Sequence, residues 1–202
     1  MEEPAQALDM MRPAVLGCHA CGLRAGASQV VFGEGCAGAR LVLIGEGPGA
    51  EEDRQGRPFV GAAGQLLDKM LAAVGMSRFE HVYILNVVKC RPPGNRAPAE
   101  DEADACRRHL DGQLAIIDPP IVVLLGATAL KSLIDPNARI TRMRGQWIER
   151  DGRWWMPTYH PAALLRNPEW KRPAWEDLKP VLDKYREVVN PLHESAYYPL
   201  NR

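Results

Sequence analysis

The chain has 202 residues, 46% of them hydrophobic, which is enough for one sizeable core and short for two. Its 25 basic and 25 acidic residues cancel to a formal charge of +0, a balance that neither demands a polyanionic partner nor excludes one, since a local basic face can be offset elsewhere. No run approaches the roughly 18 apolar residues of a membrane span, and the first fifteen residues carry no basic flank leading into an apolar stretch, so a cytoplasmic protein with no membrane partner is expected.

Along the chain, Cys18 and Cys21 come first, spaced C-x2-C. With Cys36, Cys90 and Cys106 they make five cysteines, an odd number that argues against a disulfide framework and for metal or cluster ligation. Four short apolar runs follow, "ARLVLIG", "HVYILNVV", "PIVVLLG" and "WWMPTYH", each closed by a loop-type break and read as a buried parallel strand. Between them lie helical patterns. "GQLLDKMLAAVG" places apolar residues at 66, 67, 70, 71 and 74 and ends in Gly75 as a C-cap. "PAEDEADACRRHLDGQLAII" opens with acids at its positive dipole end. "GATALKSLI" and "RPAWEDLKPVLDKYREVV" complete the set, the latter with Pro180 as an expected kink or break.

Alternating strands and helices imply right-handed crossovers and a three-layer α/β/α sandwich with a central four-stranded parallel sheet. We expect a single domain over residues 1–188, the C-x2-C segment included, and a tail over 189–202 lying on the surface or mobile. Ligands in such sheets bind outside the carboxyl ends of the strands, which singles out the loop from Gly45, the stretch from Asn86 to Cys90, the turn from Gly126, and His160 to Arg166. Arginines cluster in "KCRPPGNR", "ARITRMRG" and "LLRNPEWKR", segments that could meet at one face or simply be solvated.

The loop "GEGPGAEEDRQGRPFVGAAG" resembles a phosphate-binding turn only superficially, because Pro48 removes an amide donor and Glu46, Glu51, Glu52 and Asp53 would repel a pyrophosphate. Backbone amides and a carboxylate suit a neutral planar ligand better, with Glu46 facing a developing positive charge. Phe59 supplies a flat surface for a ring, or is an ordinary core aromatic. Asn86 interrupts an apolar strand where a buried amide needs partners, whether backbone groups or a base edge. Such an amide can accept from N3–H and donate to O4 of uracil, whereas cytosine presents the opposite pattern. His160, held extended by Pro161, is structural or catalytic by type and stands where the sheet rule puts a site. Cys18, Cys21, Cys90 and Cys106 can close on one centre, zinc or a 4Fe-4S cluster, with Cys36 left as a small hydrophobe.

Taken together and in this order, "GEGPGAEEDRQGRPFVGAAGQLL", "VYILNVVKCRPPGNRAP" and "YHPAALLRNP", with the four cysteines, resemble the family 4 uracil-DNA glycosylases, the iron-sulfur branch of the uracil-DNA glycosylase superfamily. The resemblance implies hydrolysis of the N-glycosidic bond of uracil in single- and double-stranded DNA, leaving an abasic site for base excision repair. By matching position, Glu46 and Gly47 belong to the water-activating motif, Phe59 stacks on uracil, Asn86 reads its edge and His160 donates to O2. Cys18, Cys21, Cys90 and Cys106 match the ligands of a structural 4Fe-4S cluster, and no nucleotide cofactor is implied. Leu164, Leu165 and Arg166 are the candidates for a wedge that fills the gap left by a flipped base.

The chain departs from better-known uracil glycosylases, which carry an aspartate where Gly47 stands and an aromatic where Gly49 stands. A related branch that traps DNA covalently uses a histidine in a basic insertion, and "RPPGNRAPAEDEADAC" contains no histidine. A monomeric turnover enzyme is therefore expected, against two alternatives: an iron-sulfur relative that binds or traps uracil-DNA without turnover, and a nucleotide-binding α/β domain.

Overall fold

A computed structural model describes residues 2–200. Its six strands are β1 (Glu34–Gly35), β2 (Leu41–Gly45), β3 (Val82–Asn86), β4 (Ile121–Leu125), β5 (Ile148–Arg150) and β6 (Arg153–Thr158). They form one sheet in the order β1-β3-β2-β4-β6-β5. The four apolar runs are the central strands β3, β2, β4 and β6, all parallel to one another. The edges β1 and β5 are antiparallel additions that the four-stranded expectation did not include.

Side chains alternate across the sheet with a period of two, and each set meets its own helical layer. Val42, Ile44, Leu85, Val122 and Leu124 pack with residues of α1 (Glu2–Leu16), α2 (Leu23–Gly26), α5 (Glu100–Ile117) and α6 (Ala127–Leu133). Leu41, Leu43, Ile84, Val123 and Met156 face α4 (Ala62–Ala73) and α9 (Lys171–Val188). Three short helices, α3 (Ala50–Gln55), α7 (Ile140–Met143) and α8 (Pro161–Arg166), lie in the loops. Among the described residues no helix is long and apolar enough to cross a membrane.

Gly75 does cap α4: with φ 74° it carries a Schellman turn in which Gly75 N–H reaches Ala72 O and Met76 N–H reaches Leu71 O. Pro180, by contrast, does not interrupt α9. The loss of one backbone bond there, about 3 kcal/mol, is opposed by burial of Leu178, Val181, Leu182 and Tyr185 against the sheet. Tail residues up to 200 lie over the surface, anchored where His193 Nε2 meets Val74 O (2.9 Å) and Ser195 Oγ donates to Ala73 O (2.8 Å). Residues 201 and 202 of the expected tail lie outside the described residues.

The topology fixes one special place. From β2 the chain moves to β3 on one side and then crosses to β4 on the other, so the crevice between the carboxyl ends of β2 and β4 is the switch point.

Candidate active site

Gly45 ends β2 in register with Asn86 at the end of β3. A Cβ at position 45 would stand 2.6 Å from both Asn86 Oδ1 and Phe59 Cζ, so only glycine lets the amide and the ring close on the strand end. Beyond it opens a cavity of about 510 Å3, within the range of ligand sites. Glu46, Gly47, Phe59, Asn86, His160 and Arg166 all line it. Asn86 ends β3 and the others come from the segments after β2 and β6, so three of the stretches named by the sheet rule meet here.

Phe59 is buried, and its ring centroid lies 5.4 Å from that of His160 with the planes 31° apart. Its φ of 50° is the left-handed region, which costs a non-glycine residue on the order of 1–3 kcal/mol. Two neighbours hold it there. Gly64, at the start of α4, leaves room for the Phe59 carbonyl where a Cβ would meet it at 1.8 Å. Arg78 donates to the Phe59 carbonyl at 2.7 Å.

Asn86 is 3% exposed, and its Oδ1 is buried with no hydrogen-bond partner. The backbone-satisfied alternative for this oxygen therefore fails. Leaving such an acceptor unpaired costs about 1–3 kcal/mol, and the oxygen belongs to a residue of the cavity wall.

His160 caps α8: its Nδ1 accepts from the Ala162 N–H at 3.1 Å. A neutral ring bonded this way carries its proton on Nε2. Burial and then the Arg166 charge push its pKa down to about 4, against the opposing pull of Glu52. The residue is thus a neutral Nε2–H donor at neutral pH. Gly126, with φ 96°, lets β4 turn beside it, since a Cβ there would stand 2.9 Å from His160 Cβ.

Glu46 receives a hydrogen bond from the Thr128 hydroxyl on α6, and its own carbonyl accepts from Val88 N–H at 3.2 Å. Gly47 packs tightly behind it, for a Cβ there would lie 2.7 Å from Val88 Cγ2. Glu52, read from sequence only as part of an acidic loop, lines the cavity and accepts from the Val60 and Gly61 N–H groups, both at 2.9 Å. Thr128, Glu52 and Arg78 were not singled out from sequence. Only Glu52 had a local signal, its position inside the quoted loop.

The three arginine-rich segments do converge on the cavity, contributing Arg96, Ile140 and Arg166 to its lining. Lys89 and Arg144 are withdrawn from that face, Lys89 by complete burial and Arg144 by its ion pair with Asp177 at 2.7 Å. The expected wedge also divides. Leu164 is 1% exposed and packs with Tyr159 and Ala174, so it is not available to enter DNA, whereas Leu165 is 44% exposed. The helical turn of α8 sets this: adjacent leucines cannot share one face.

Cys18, Cys21, Cys90 and Cys106 border a second, largely apolar pocket beneath α1 and α5. Cys36 stands apart, packed against the core. Three N–H groups donate to the sulfurs: Lys89 N to Cys106 (3.3 Å), Arg108 Nη2 to Cys18 (3.4 Å) and Ala20 N to Cys18 (3.5 Å). Burial first, then the neighbouring thiols, push the Cys90 pKa up to about 12. Lys89 Nζ is buried beside this pocket without a partner. Among the described residues no three His, Cys, Asp or Glu side chains converge so as to hold a single metal ion.

The family model described as uracil DNA glycosylase superfamily matches residues 32–179. The chain is 47% identical to the type-4 uracil-DNA glycosylase of Thermotoga maritima over 176 residues, covering 85% of this chain and 91% of the relative. It is 42% identical to the type-4 uracil-DNA glycosylase of Sulfurisphaera tokodaii over 191 residues, covering 90% and 84% respectively. To that of Archaeoglobus fulgidus it is 40% identical over 185 residues, covering 87% and 92%. The chain therefore belongs to the uracil DNA glycosylase superfamily, in its type-4 branch.

Proposed function

We propose that the protein is a uracil-DNA glycosylase acting in DNA repair, which hydrolyses the N-glycosidic bond of uracil in single- and double-stranded DNA and leaves an abasic site. The observation that carries this reading is the unpartnered Oδ1 of Asn86 in the wall of the switch-point cavity. An acceptor buried without a partner calls for a ligand donor, and uracil N3–H is one, with O4 available to the amide Nδ2.

Each remaining group has a role that follows from its placement. Phe59 offers its ring face to the flipped base, and Gly45 and Gly47 allow the close approach. Uracil leaves as an anion while the sugar becomes cation-like, so the neutral Nε2–H of His160 donates to O2 as charge develops there. Glu46 stabilises the positive charge at C1′ and orients the attacking water. Flipping costs a few kcal/mol and is easiest from a mismatch or a single strand; Leu165 fills the vacated space, and Arg166 meets the flanking backbone.

Cys18, Cys21, Cys90 and Cys106 would hold a 4Fe-4S cluster. The donor set fits: four thiols border one pocket, N–H groups point at two of the sulfurs, and an anionic cluster would balance the buried, unpartnered Lys89 ammonium. When bound, the cluster supplies a structural tie between the C-x2-C knuckle and α5. One chain contains the whole cavity, so a monomer suffices.

The test is an oligonucleotide bearing one uracil, incubated with the protein and then treated with alkali. Many strands cut per protein molecule, and none with Glu46→Ala or His160→Ala, is the expected result. A uracil-dependent band that survives denaturation would indicate trapping, and no scission by the wild type would leave a binding module.

A further inference from the structure

Arg78 lies outside the cavity, in the turn after α4, and its side chain is 6% exposed. An arginine presents five N–H donors in a fixed fork, and here four of them make hydrogen bonds. Nε donates to Asp68 Oδ1 at 2.9 Å, and Nη2 approaches the same oxygen at 2.8 Å. Nη1 donates to Glu34 Oε1 at 3.2 Å and to the Pro58 carbonyl at 2.9 Å, while Nη2 also reaches the Phe59 carbonyl at 2.7 Å. Glu34 is itself held by Arg57; burial opposes its charge, but the hydrogen bonds from Arg57 and Arg78 keep its carboxyl below the usual range.

Carboxylates on β1 and α4 thus hold the fork, Glu34 at Nη1 and Asp68 at Nε. Its remaining Nη1 and Nη2 hydrogens grip two consecutive carbonyls of the loop that carries Phe59 in its left-handed conformation. We propose that Arg78 is a positioning residue for base recognition: by clamping the Pro58 and Phe59 carbonyls it sets the height and tilt of the Phe59 ring under the flipped base. The inference rests on Phe59 being the stacking surface. Lysine cannot replace the fork, since its ammonium is a point charge that does not match two carbonyls and two carboxylates at once. Without the clamp the loop is free to relax toward an ordinary backbone conformation, which swings the ring away from the stacking plane.

The experiment is a double-mutant cycle of Arg78→Met and Phe59→Ala, read as single-turnover uracil excision and as inhibition by free uracil. A misplacement of about 1 Å can cost ~100-fold, so Arg78→Met is expected to lower excision by about 10- to 100-fold and to weaken inhibition by free uracil. In the Phe59→Ala background the same change is expected to add no more than about twofold, because one unit has already been removed. Asp68→Asn and Glu34→Gln, which loosen the fork's anchors, are expected to act in the same direction with smaller size and keep the test open should Arg78→Met fail to fold. If Phe59→Ala excises uracil like the wild type, the stacking role fails. If Phe59→Ala is impaired while a folded Arg78→Met or both anchor variants are not, or if the two effects multiply, the clamp is overturned.

Discussion

Thr128 donates its hydroxyl hydrogen to the carboxylate of Glu46 across the switch point, joining residues 82 positions apart in sequence. The contact exists because β2 and β4 are neighbours in the sheet while their following loops diverge, so the start of α6 faces the end of β2. Glu46 is thereby held toward the cavity instead of swinging into solvent. A hydrogen bond to a charged group contributes about 1.5–3 kcal/mol. Thr128→Ala should therefore lower uracil excision by about 10- to 100-fold, and Thr128→Ser should recover most of it. Single-turnover rates of the two variants check this, and equal rates for wild type and Thr128→Ala would remove the role.

The environment of His160 yields a pH prediction. Its folded pKa of about 4 lies below the ordinary value of 6.5, so the unfolded chain takes up the proton first. The stability this residue contributes is full above pH 6.5 and is lost as pH falls through about 4. Thermal melts from neutral pH down to that region should show a steeper decline for the wild type than for His160→Gln. The pH–rate profile for excision should carry no His160 inflection near 6.5, because the Nε2–H donor is already neutral there.

The cysteine pocket predicts a coupled loss of iron and stability. Cys90→Ala and Cys106→Ala should reduce the iron content and visible absorption of the purified protein. Both should also lower its melting temperature, by about 2–4 °C for each kcal/mol lost. Retention of full colour by Cys90→Ala would contradict the ligand assignment.

Much of this was legible in the sequence, for identifiable reasons. The strands β2, β3 and β4 are buried along their whole length, and β6 over its last four residues, so they appear as largely apolar runs. Asn86 stood out because it breaks such a run. β1 and β5 did not, since two- and three-residue edge strands with half-exposed side chains carry no period. Helix α1 was hidden by Pro13 within it and by a weak apolar stripe. Leu164 was misplaced because the sequence gives its distance from His160 but not which way α8 turns it. Thr128 and Arg78 act on partners 82 and 19 positions away, contacts that no local pattern encodes.

The edge-reading role of Asn86 is the centre of the functional reading, and excision from three oligonucleotides that differ only in carrying uracil, cytosine or thymine tests it most directly. The wild type should excise uracil alone. Asn86→Asp should lose most uracil excision and gain activity on cytosine, since the substitution exchanges a donor for an acceptor at the base edge. A folded Asn86→Asp variant that excises uracil at the wild-type rate and spares cytosine would contradict it.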